Sequence, residues 1–143
     1  MPPSFTVLIA DDDAEDRNFL KECLSATTKL QVIGELASGT DLIAYLSGTA
    51  PFQDRARHPL PDLLIIDSIM PKLEAGEILH WLKAHPVPRM KVIIFSGFPT
   101  PDTGAHFIKH GAHGFFYKTG ELHQLKSITR EIETHLLNGD YDR

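Results

Sequence analysis

The stretch "VLIADDDAEDR", Val7–Arg17, runs four apolar residues directly into three consecutive aspartates, with Glu15 and Asp16 close behind. An apolar run of this kind is typical of a buried strand, and the acids mark the point where that strand ends. Two carboxylates about 4 Å apart repel each other by roughly 4 kcal/mol at an effective dielectric constant near 20. A fold that tolerates this cluster therefore needs something that offsets the negative charge.

The composition is that of one globular domain. The chain has 143 residues, of which 42% are hydrophobic and 23% are charged, and this is enough for one buried core. The single cysteine, Cys23, excludes an internal disulfide framework and a cysteine-rich zinc site. No targeting pattern and no run of roughly 18 apolar residues is present, so we expect a cytoplasmic protein that does not enter a membrane. A net charge of -5 argues against direct binding of nucleic acid.

Short apolar runs alternate with helical patterns along the chain, which indicates βα units and a mainly parallel sheet. Apolar residues recur at helical spacing over Ala14–Ser25, over Glu77–His85 and from Leu122 to near Asn138. Several strands lack polar alternation, as expected for strands that are covered on both faces. The five predicted strands are Phe5–Ala10, Gln31–Ala37, Asp62–Ile66, Met90–Phe95 and His113–Tyr117.

Two features stand apart from this pattern. The segment Gly48–Pro61 contains three prolines and no periodicity, which predicts a surface loop. This loop is either a contact for a partner or a passive insertion, and we favour the insertion. Three histidines have suggestive spacing but no evident fourth ligand, so we interpret them as a solvated helix face rather than a zinc site: His106, His110 and His113.

Polar residues follow four of the predicted strands. Each of them alone is ordinary chemistry for the start of a loop. In open parallel sheets, however, ligands bind beyond the carboxyl ends of the strands, so their joint occurrence predicts one site. The residues are Asp11, Asp12 and Asp13 after the first strand, Asp67 after the third, Ser96 after the fourth and Lys118 after the fifth.

These residue types suit phosphoryl chemistry around a hard divalent cation. Mg²⁺ prefers oxygen ligands and is usually held by one or two carboxylates. Such a cation would offset the negative charge of the aspartate cluster. Asp67, a lone acid at the end of a central strand, is the candidate nucleophile toward phosphorus. Ser96 is suited to bond a phosphoryl oxygen, and Lys118 to neutralise the remaining charge. No glycine-rich phosphate loop follows the first strand, which disfavours a nucleotide site.

At these positions the chain resembles the receiver domain of two-component response regulators, through "VLIADD", "IIDSIMP", "IIFSG" and "GFFYK" in matching order and compatible spacing. The resemblance implies an α/β fold of the flavodoxin-like type, a three-layer α/β/α sandwich around a five-stranded parallel sheet in the order 2-1-3-4-5. It covers essentially the whole chain. We therefore expect a single receiver domain over residues 1–143 without an output domain, of the stand-alone kind found among chemotaxis regulators.

The resemblance also implies roles for individual residues. Asp67 takes the phosphoacceptor position and is a metal ligand together with Asp12, while Asp11 holds the metal through water. The other implied roles are a metal-ligating backbone carbonyl, a switch hydroxyl, a switch aromatic residue and a phosphate-binding lysine, which fall on Ile69, Ser96, Phe115 and Lys118.

The remaining acids of the opening stretch receive no role from the family. We expect Asp13 to cap the first helix, with Glu15 and Asp16 placed favourably in its first turn. Only Asp11 and Asp12 of this run are then expected to belong to the site.

The implied function is that of a response regulator in a phosphorelay. A sensor histidine kinase or a histidine phosphotransfer protein donates a phosphoryl group to Asp67 in a Mg²⁺-dependent reaction. The phosphoryl group draws Ser96 inward and Phe115 turns into the space left behind. The surface of the fourth helix, fifth strand and fifth helix then changes for a downstream protein target or for a homodimer across the fourth and fifth helices. Such a protein is no enzyme beyond its own phosphorylation and dephosphorylation.

The chain departs from the family at a few positions. Thr119 stands where a proline usually follows the lysine, so we expect a trans peptide bond there and a cap on the last helix. The segment Met70–Gly76, "MPKLEAG", lacks the usual aspartate-glycine pair, which predicts an altered turn. Ile69 and Phe98 are apolar at family positions that flank the path of the hydrolytic water. We therefore hypothesise slow self-dephosphorylation.

Two other function classes are considered. The departures leave open a pseudo-receiver that docks partners without being phosphorylated. A metal-dependent phosphohydrolase that uses Asp67 as a turnover nucleophile is disfavoured, because no second domain or long lid is evident to close over a small substrate.

Overall fold

The computed structural model describes residues 4–26, 29–70, 72–97, 103–118 and 120–141, and strands and helices alternate strictly along them. All five predicted strands are confirmed, with bounds that differ by at most one residue. Among the described residues, no helix combines the length and apolar character that crossing a bilayer requires. The strands are β1 Phe5–Ala10, β2 Leu30–Leu36, β3 Leu63–Asp67, β4 Lys91–Ser96 and β5 Gly114–Tyr117, and the helices are α1 Ala14–Ser25, α2 Gly39–Ser47, α3 Ala75–Ala84, α4 Thr103–Lys109 and α5 Leu122–Asn138.

The sheet is parallel throughout and has the order β2-β1-β3-β4-β5. Successive residues of a strand point to opposite faces, and the two faces carry separate apolar layers. Leu8 belongs to the layer that α2, α3 and α4 cover, whereas its neighbour Ile9 belongs to the layer beneath α1 and α5. This is the predicted three-layer, flavodoxin-like α/β/α sandwich.

Local signals set where the helices near the site begin. The Asp13 side chain caps α1 by accepting bonds from the backbone N–H groups of Glu15 and Asp16. Gly39 opens α2, and a Cβ at this position would collide with the backbone carbonyl of Leu73. A glycine is therefore required where the loop after β3, which leads away from Asp67, crosses the start of α2.

The segment Gly48–Pro61 contains neither helix nor strand, as predicted, but it is fastened to the end of α2. The Arg55 guanidinium donates to the carbonyl oxygens of Tyr45 at 2.7 Å and Leu46 at 2.9 Å. These are carbonyls of the last helical turn, which have no partner within the helix itself. The Tyr45 hydroxyl donates to the Pro59 carbonyl at 2.8 Å, so the loop is held to α2 both at its middle and near its end.

Candidate functional site

The carboxyl ends of four strands bring the predicted site residues to one edge of the sheet. Asp11 follows β1, Asp67 ends β3, Ser96 ends β4 and Lys118 follows β5. The Lys118 N–H donates to the Ser96 carbonyl at 2.7 Å, which extends the pairing of β4 and β5 into the site. The sequence-based prediction that these residues share one edge is confirmed.

Asp11, Asp12 and Asp67 form a group that can hold a metal ion. One carboxylate oxygen from each lies within 4.8 Å of the other two, and no other such group of three or more acids, histidines or cysteines occurs in the described part of the chain. Mg²⁺ binds oxygen at about 2.0–2.1 Å, so two of its ligands lie about 2.9 to 4.2 Å apart. The three carboxylates can therefore bind one Mg²⁺ ion if their oxygen atoms move slightly closer together. Asp11 and Asp67 are buried and Asp12 is exposed, which leaves an open side toward solvent.

The Asp67 carboxylate lies in an environment that disfavours its charge. Burial raises its pKa to about 6, and the neighbouring charge of Asp11 raises it as well, against the opposing effect of Lys118. A carboxylate must be ionised to attack phosphorus. A cation bound between Asp11, Asp12 and Asp67 would favour that ionised form.

Lys118 is the counter-ion of the site. Its Nζ lies 2.9 Å from Asp11 Oδ2, 3.2 Å from Asp67 Oδ2 and 2.8 Å from Asp16 Oδ2. Burial lowers the pKa of Lys118, but the hydrogen bonds to Asp16 and Asp11 and the charge of Asp67 outweigh this and raise the pKa above its ordinary value. The ammonium therefore remains charged across the physiological range.

Asp16 is the residue that the sequence analysis missed. The expectation that only Asp11 and Asp12 of the opening acids reach the site is wrong, because Asp16 makes the shortest contact with Lys118. A local signal was available. Leu20 is buried and lies four residues after Asp16, so both occupy the same stripe of α1. An acid on a stripe that otherwise faces the core indicates a partner for its charge.

The other acids of the opening stretch organise the loop between β1 and α1. The Asp13 N–H donates to Asp11 Oδ1 at 2.9 Å, and the Arg17 guanidinium donates to the Asp11 carbonyl at 2.7 Å. The Asp13 side chain faces α1 and accepts from Glu15 N at 2.8 Å and Asp16 N at 3.2 Å. The predicted N-cap at Asp13 is confirmed.

Ser96 is buried at the end of β4, and the Ser68 hydroxyl donates to its hydroxyl at 3.0 Å. Ser68 directly follows Asp67 and is also buried. No role for Ser68 follows from the sequence, because a serine after a strand is ordinary loop chemistry.

The candidate switch aromatic residue, Phe115, is partly buried and packs against the apolar layer that α4 covers. Its ring lies 6.0 Å from the Phe107 ring and 5.1 Å from the Tyr117 ring, measured between centroids. Ile69 lies beside Asp67: its N–H donates to Asp67 Oδ1 at 3.4 Å, and 51% of Ile69 is exposed. The metal contact through the Ile69 carbonyl stays a prediction.

Some predictions concern residues outside the described ranges. Phe98, the second residue of the rate-tuning hypothesis, and Thr119 are both among them. The expectation that Thr119 caps the last helix is wrong, because Glu121 occupies the N-cap position of α5. In the turn after Pro71, Lys72 adopts a φ of 73°, a backbone conformation that glycine and asparagine favour.

The histidines of the α4 region have mixed surroundings. The His106 and His110 rings lie 4.4 Å apart, and His110 Nδ1 lies 2.8 Å from the His106 carbonyl oxygen. His113 turns inward instead, and its Nδ1 accepts from the Val92 N–H at 3.1 Å. The three therefore do not share one face.

Comparisons with known proteins agree with this geometry. The family model of the response regulator receiver domain matches residues 7–130. The oxygen regulatory protein NreC of Staphylococcus epidermidis is 28% identical over 126 residues, which are 88% of this chain and 53% of NreC. The chain thus spans about half the length of the curated relatives it matches.

Solved structures give the same result. The phosphorylated cyanobacterial phytochrome response regulator RcpA aligns with a TM-score of 0.80 at 25% identity over 94% of each chain. The Mn(2+)-bound form of the response regulator Rcp1 aligns with a TM-score of 0.79 at 22% identity over 93% of this chain and 94% of that one, which supports the fold. With the family match over most of its length, this chain belongs to the response regulator receiver domains of two-component systems.

Proposed function

We propose that this receiver domain accepts a phosphoryl group on Asp67 in a Mg²⁺-dependent reaction, from a sensor histidine kinase or a histidine phosphotransfer protein. One observation carries the proposal. The Asp67 carboxylate lies within 4.8 Å of the Asp11 and Asp12 carboxylates and 3.2 Å from the Lys118 ammonium. A metal site, a nucleophile and a cation for the phosphoryl oxygens are thereby combined at one strand end.

The chemical step needs no further protein group. An Asp67 oxygen attacks phosphorus, the new O–P bond forms as the P–N bond to the donor histidine breaks, and the electron pair leaves with the imidazole. Asp11, Asp12 and Asp67 would hold Mg²⁺, which neutralises charge on the acids and on the phosphoryl oxygens. Lys118 donates to a phosphoryl oxygen and stabilises the charge that develops there.

We infer that the signal leaves the site through Ser96 and Phe115. The Ser96 hydroxyl, now paired with Ser68 at 3.0 Å, exchanges this bond for one to the phosphoryl group. Phe115 then moves into the space beside β4, and the outer surface of α4, β5 and α5 changes. Tyr117 lies on β5 and is 44% exposed, so a downstream protein or a second copy of the chain can contact it when this surface changes.

The test is phosphorylation with a small donor. Incubation with Mg²⁺ and acetyl phosphate is expected to add the mass of one phosphoryl group to the intact wild-type chain and none to Asp67→Asn. Omission of Mg²⁺ is expected to prevent the addition. A chain that forms no adduct and binds no Mg²⁺ would instead be a pseudo-receiver that docks partners without phosphorylation. Rapid turnover of several phosphate esters would identify a phosphohydrolase.

A further inference from the structure

The Lys118 ammonium has no spare donor in the described structure. An ammonium group carries three N–H donors, and three carboxylates lie within 3.2 Å of it. Two of them, Asp11 and Asp67, belong to the group that can hold a metal. The third is Asp16, which makes the shortest contact at 2.8 Å and lies outside that group.

Asp16 differs from the other two acids in its surroundings. The side chains of Asp11 and Asp67 are each 10% exposed, whereas that of Asp16 is 44% exposed. Asp16 is held in place by α1, because its N–H bonds to the Asp13 cap that fixes where this helix begins. The contact thus pulls Lys118 toward α1 and the solvent.

A phosphoryl group on Asp67 changes the competition for Lys118. A cation held by Asp11, Asp12 and Asp67 weakens the attraction of Asp11 and Asp67 for the ammonium. Asp16 is no part of that set and keeps its full charge. The phosphoryl oxygens must therefore take a donor of Lys118 in competition with Asp16.

Resting on the proposed function, we propose that Asp16 is a positioning residue: it holds Lys118 toward α1 and thereby weakens the hold of the site on a phosphoryl group at Asp67. Removing its charge releases the ammonium, so the phosphorylated state gains stability. If Asp16 served only to stabilise the fold, removing its charge would make the phosphorylated state less stable or leave its stability unchanged.

The experiment measures the affinity for beryllofluoride, an anionic mimic of the phosphoryl group, by calorimetry at saturating Mg²⁺. Asp16→Asn is expected to bind it about fivefold more tightly than the wild type, the size of effect that one partly exposed ion pair supports. Asp16→Glu keeps the charge and is expected to remain near the wild-type value. Glu15→Gln is the matched control, because Glu15 carries the same charge in the same turn and, within the described residues, does not pair with Lys118.

Each outcome decides the proposal. Unchanged or weaker binding in Asp16→Asn, equal tightening in Glu15→Gln, or tightening in Asp16→Glu as large as in Asp16→Asn would overturn the role of Asp16 and leave the proposed function intact. A wild-type chain that takes up beryllofluoride no better than Asp67→Asn would overturn both together. Melting temperatures of all variants in EDTA identify any loss of folding. If Asp16→Asn folds poorly, Asp16→Ser replaces it, with the same tightening expected and the same outcomes overturning the role of Asp16.

Discussion

The two sides of the site are built from different interactions. On the charged side, next to α1, three carboxylates contact one ammonium: Asp11, Asp16 and Asp67 around Lys118. Asp12 joins Asp11 and Asp67 in the group that can hold a metal ion. On the packed side, next to α4, the contacts are a serine pair and aromatic rings: Ser68 with Ser96, and Phe107, Phe115 and Tyr117.

This difference separates the chemistry from the response. Charges on the charged side respond strongly to a cation or a phosphoryl group, because they are partly removed from water. The packed side contains a neutral hydroxyl pair and aromatic ring contacts, which depend on packing geometry rather than on charge. Under the proposed function, the charged side would control whether Asp67 is phosphorylated, and the packed side would control how the fold responds.

The largest expected effect concerns a metal ligand on the charged side. Asp12→Ala removes a proposed ligand of Mg²⁺, and we expect the Mg²⁺-dependent rate of phosphorylation by acetyl phosphate to fall about 100-fold, measured from intact mass. Asp13→Ser is the control: it removes a neighbouring acid but keeps an N-cap side chain on α1. Similar losses in both variants would mean that net charge, rather than ligation by Asp12, supports the reaction.

The second prediction concerns how much the ionised Asp67 carboxylate lowers the free energy of unfolding when no metal is bound. The pKa of Asp67 is raised to about 6, so its contribution to stability is full below its ordinary value near 3.8 and is lost as the pH rises through about 6. In EDTA at pH 7.5, Asp67→Asn is therefore expected to be more stable than the wild type by about 3 kcal/mol. Denaturant unfolding should show this difference shrinking toward pH 4. A difference that does not depend on pH would assign the gain to packing instead of charge.

The comparison also explains what the sequence could predict. The strands were predictable because a parallel sheet buried on both faces leaves continuous apolar runs, and α1 was predictable because Asp13 caps it locally. Asp11, Asp67 and Lys118 were predictable because each directly follows or ends a strand.

Contacts between distant segments were harder to predict. Asp16 and Lys118 are separated by 102 positions, and Ser68 and Ser96 by 28. Asp16 needs a partner for its charge, but the stripe of α1 does not identify Lys118, because that partner depends on how α1 and the strand ends pack. The serine pair leaves no local pattern.

The last helix, α5, was predictable as far as Asn138, because the apolar residues at helical spacing end there.

A third effect concerns how long the phosphoryl group survives. Ile69 is half exposed beside Asp67 and offers no polar atom of its side chain to an attacking water. Ile69→Asn supplies a carbonyl that can orient such a water, so we expect dephosphorylation about tenfold faster. Ile69→Leu is the apolar control. The decay of the phosphorylated chain, followed by intact mass, should be equally slow in the wild type and Ile69→Leu, and a lifetime of seconds in the wild type would contradict the hypothesis.

The smallest expected effect tests how tightly the packed side is assembled. Gly104 and Gly76 are each the second residue of a helix, α4 and α3. A Cβ at Gly104 would lie 3.0 Å from Phe115 Cδ1, whereas nothing lies within 4 Å of a Cβ at Gly76. Alanine is favoured over glycine in a helix by about 0.5–1 kcal/mol. Gly76→Ala is expected to gain roughly this amount in the free energy of unfolding, and Gly104→Ala to gain none.

A double-mutant cycle decides whether the Phe115 ring is the cause. In a Phe115→Ala background the ring is absent, so Gly104→Ala should recover the gain of Gly76→Ala, with a coupling of about 1 kcal/mol. Equal gains in stability for Gly104→Ala and Gly76→Ala in the wild-type background would mean that the Phe115 ring moves aside without a cost in free energy. The packed side would then not be tightly packed. The coupling bears on the proposed switch, because a Phe115 ring in close contact with the start of α4 is expected to displace this helix when it moves. Under the proposed function, phosphorylation on the charged side would start the change, and the displacement of α4 would carry it to the surface.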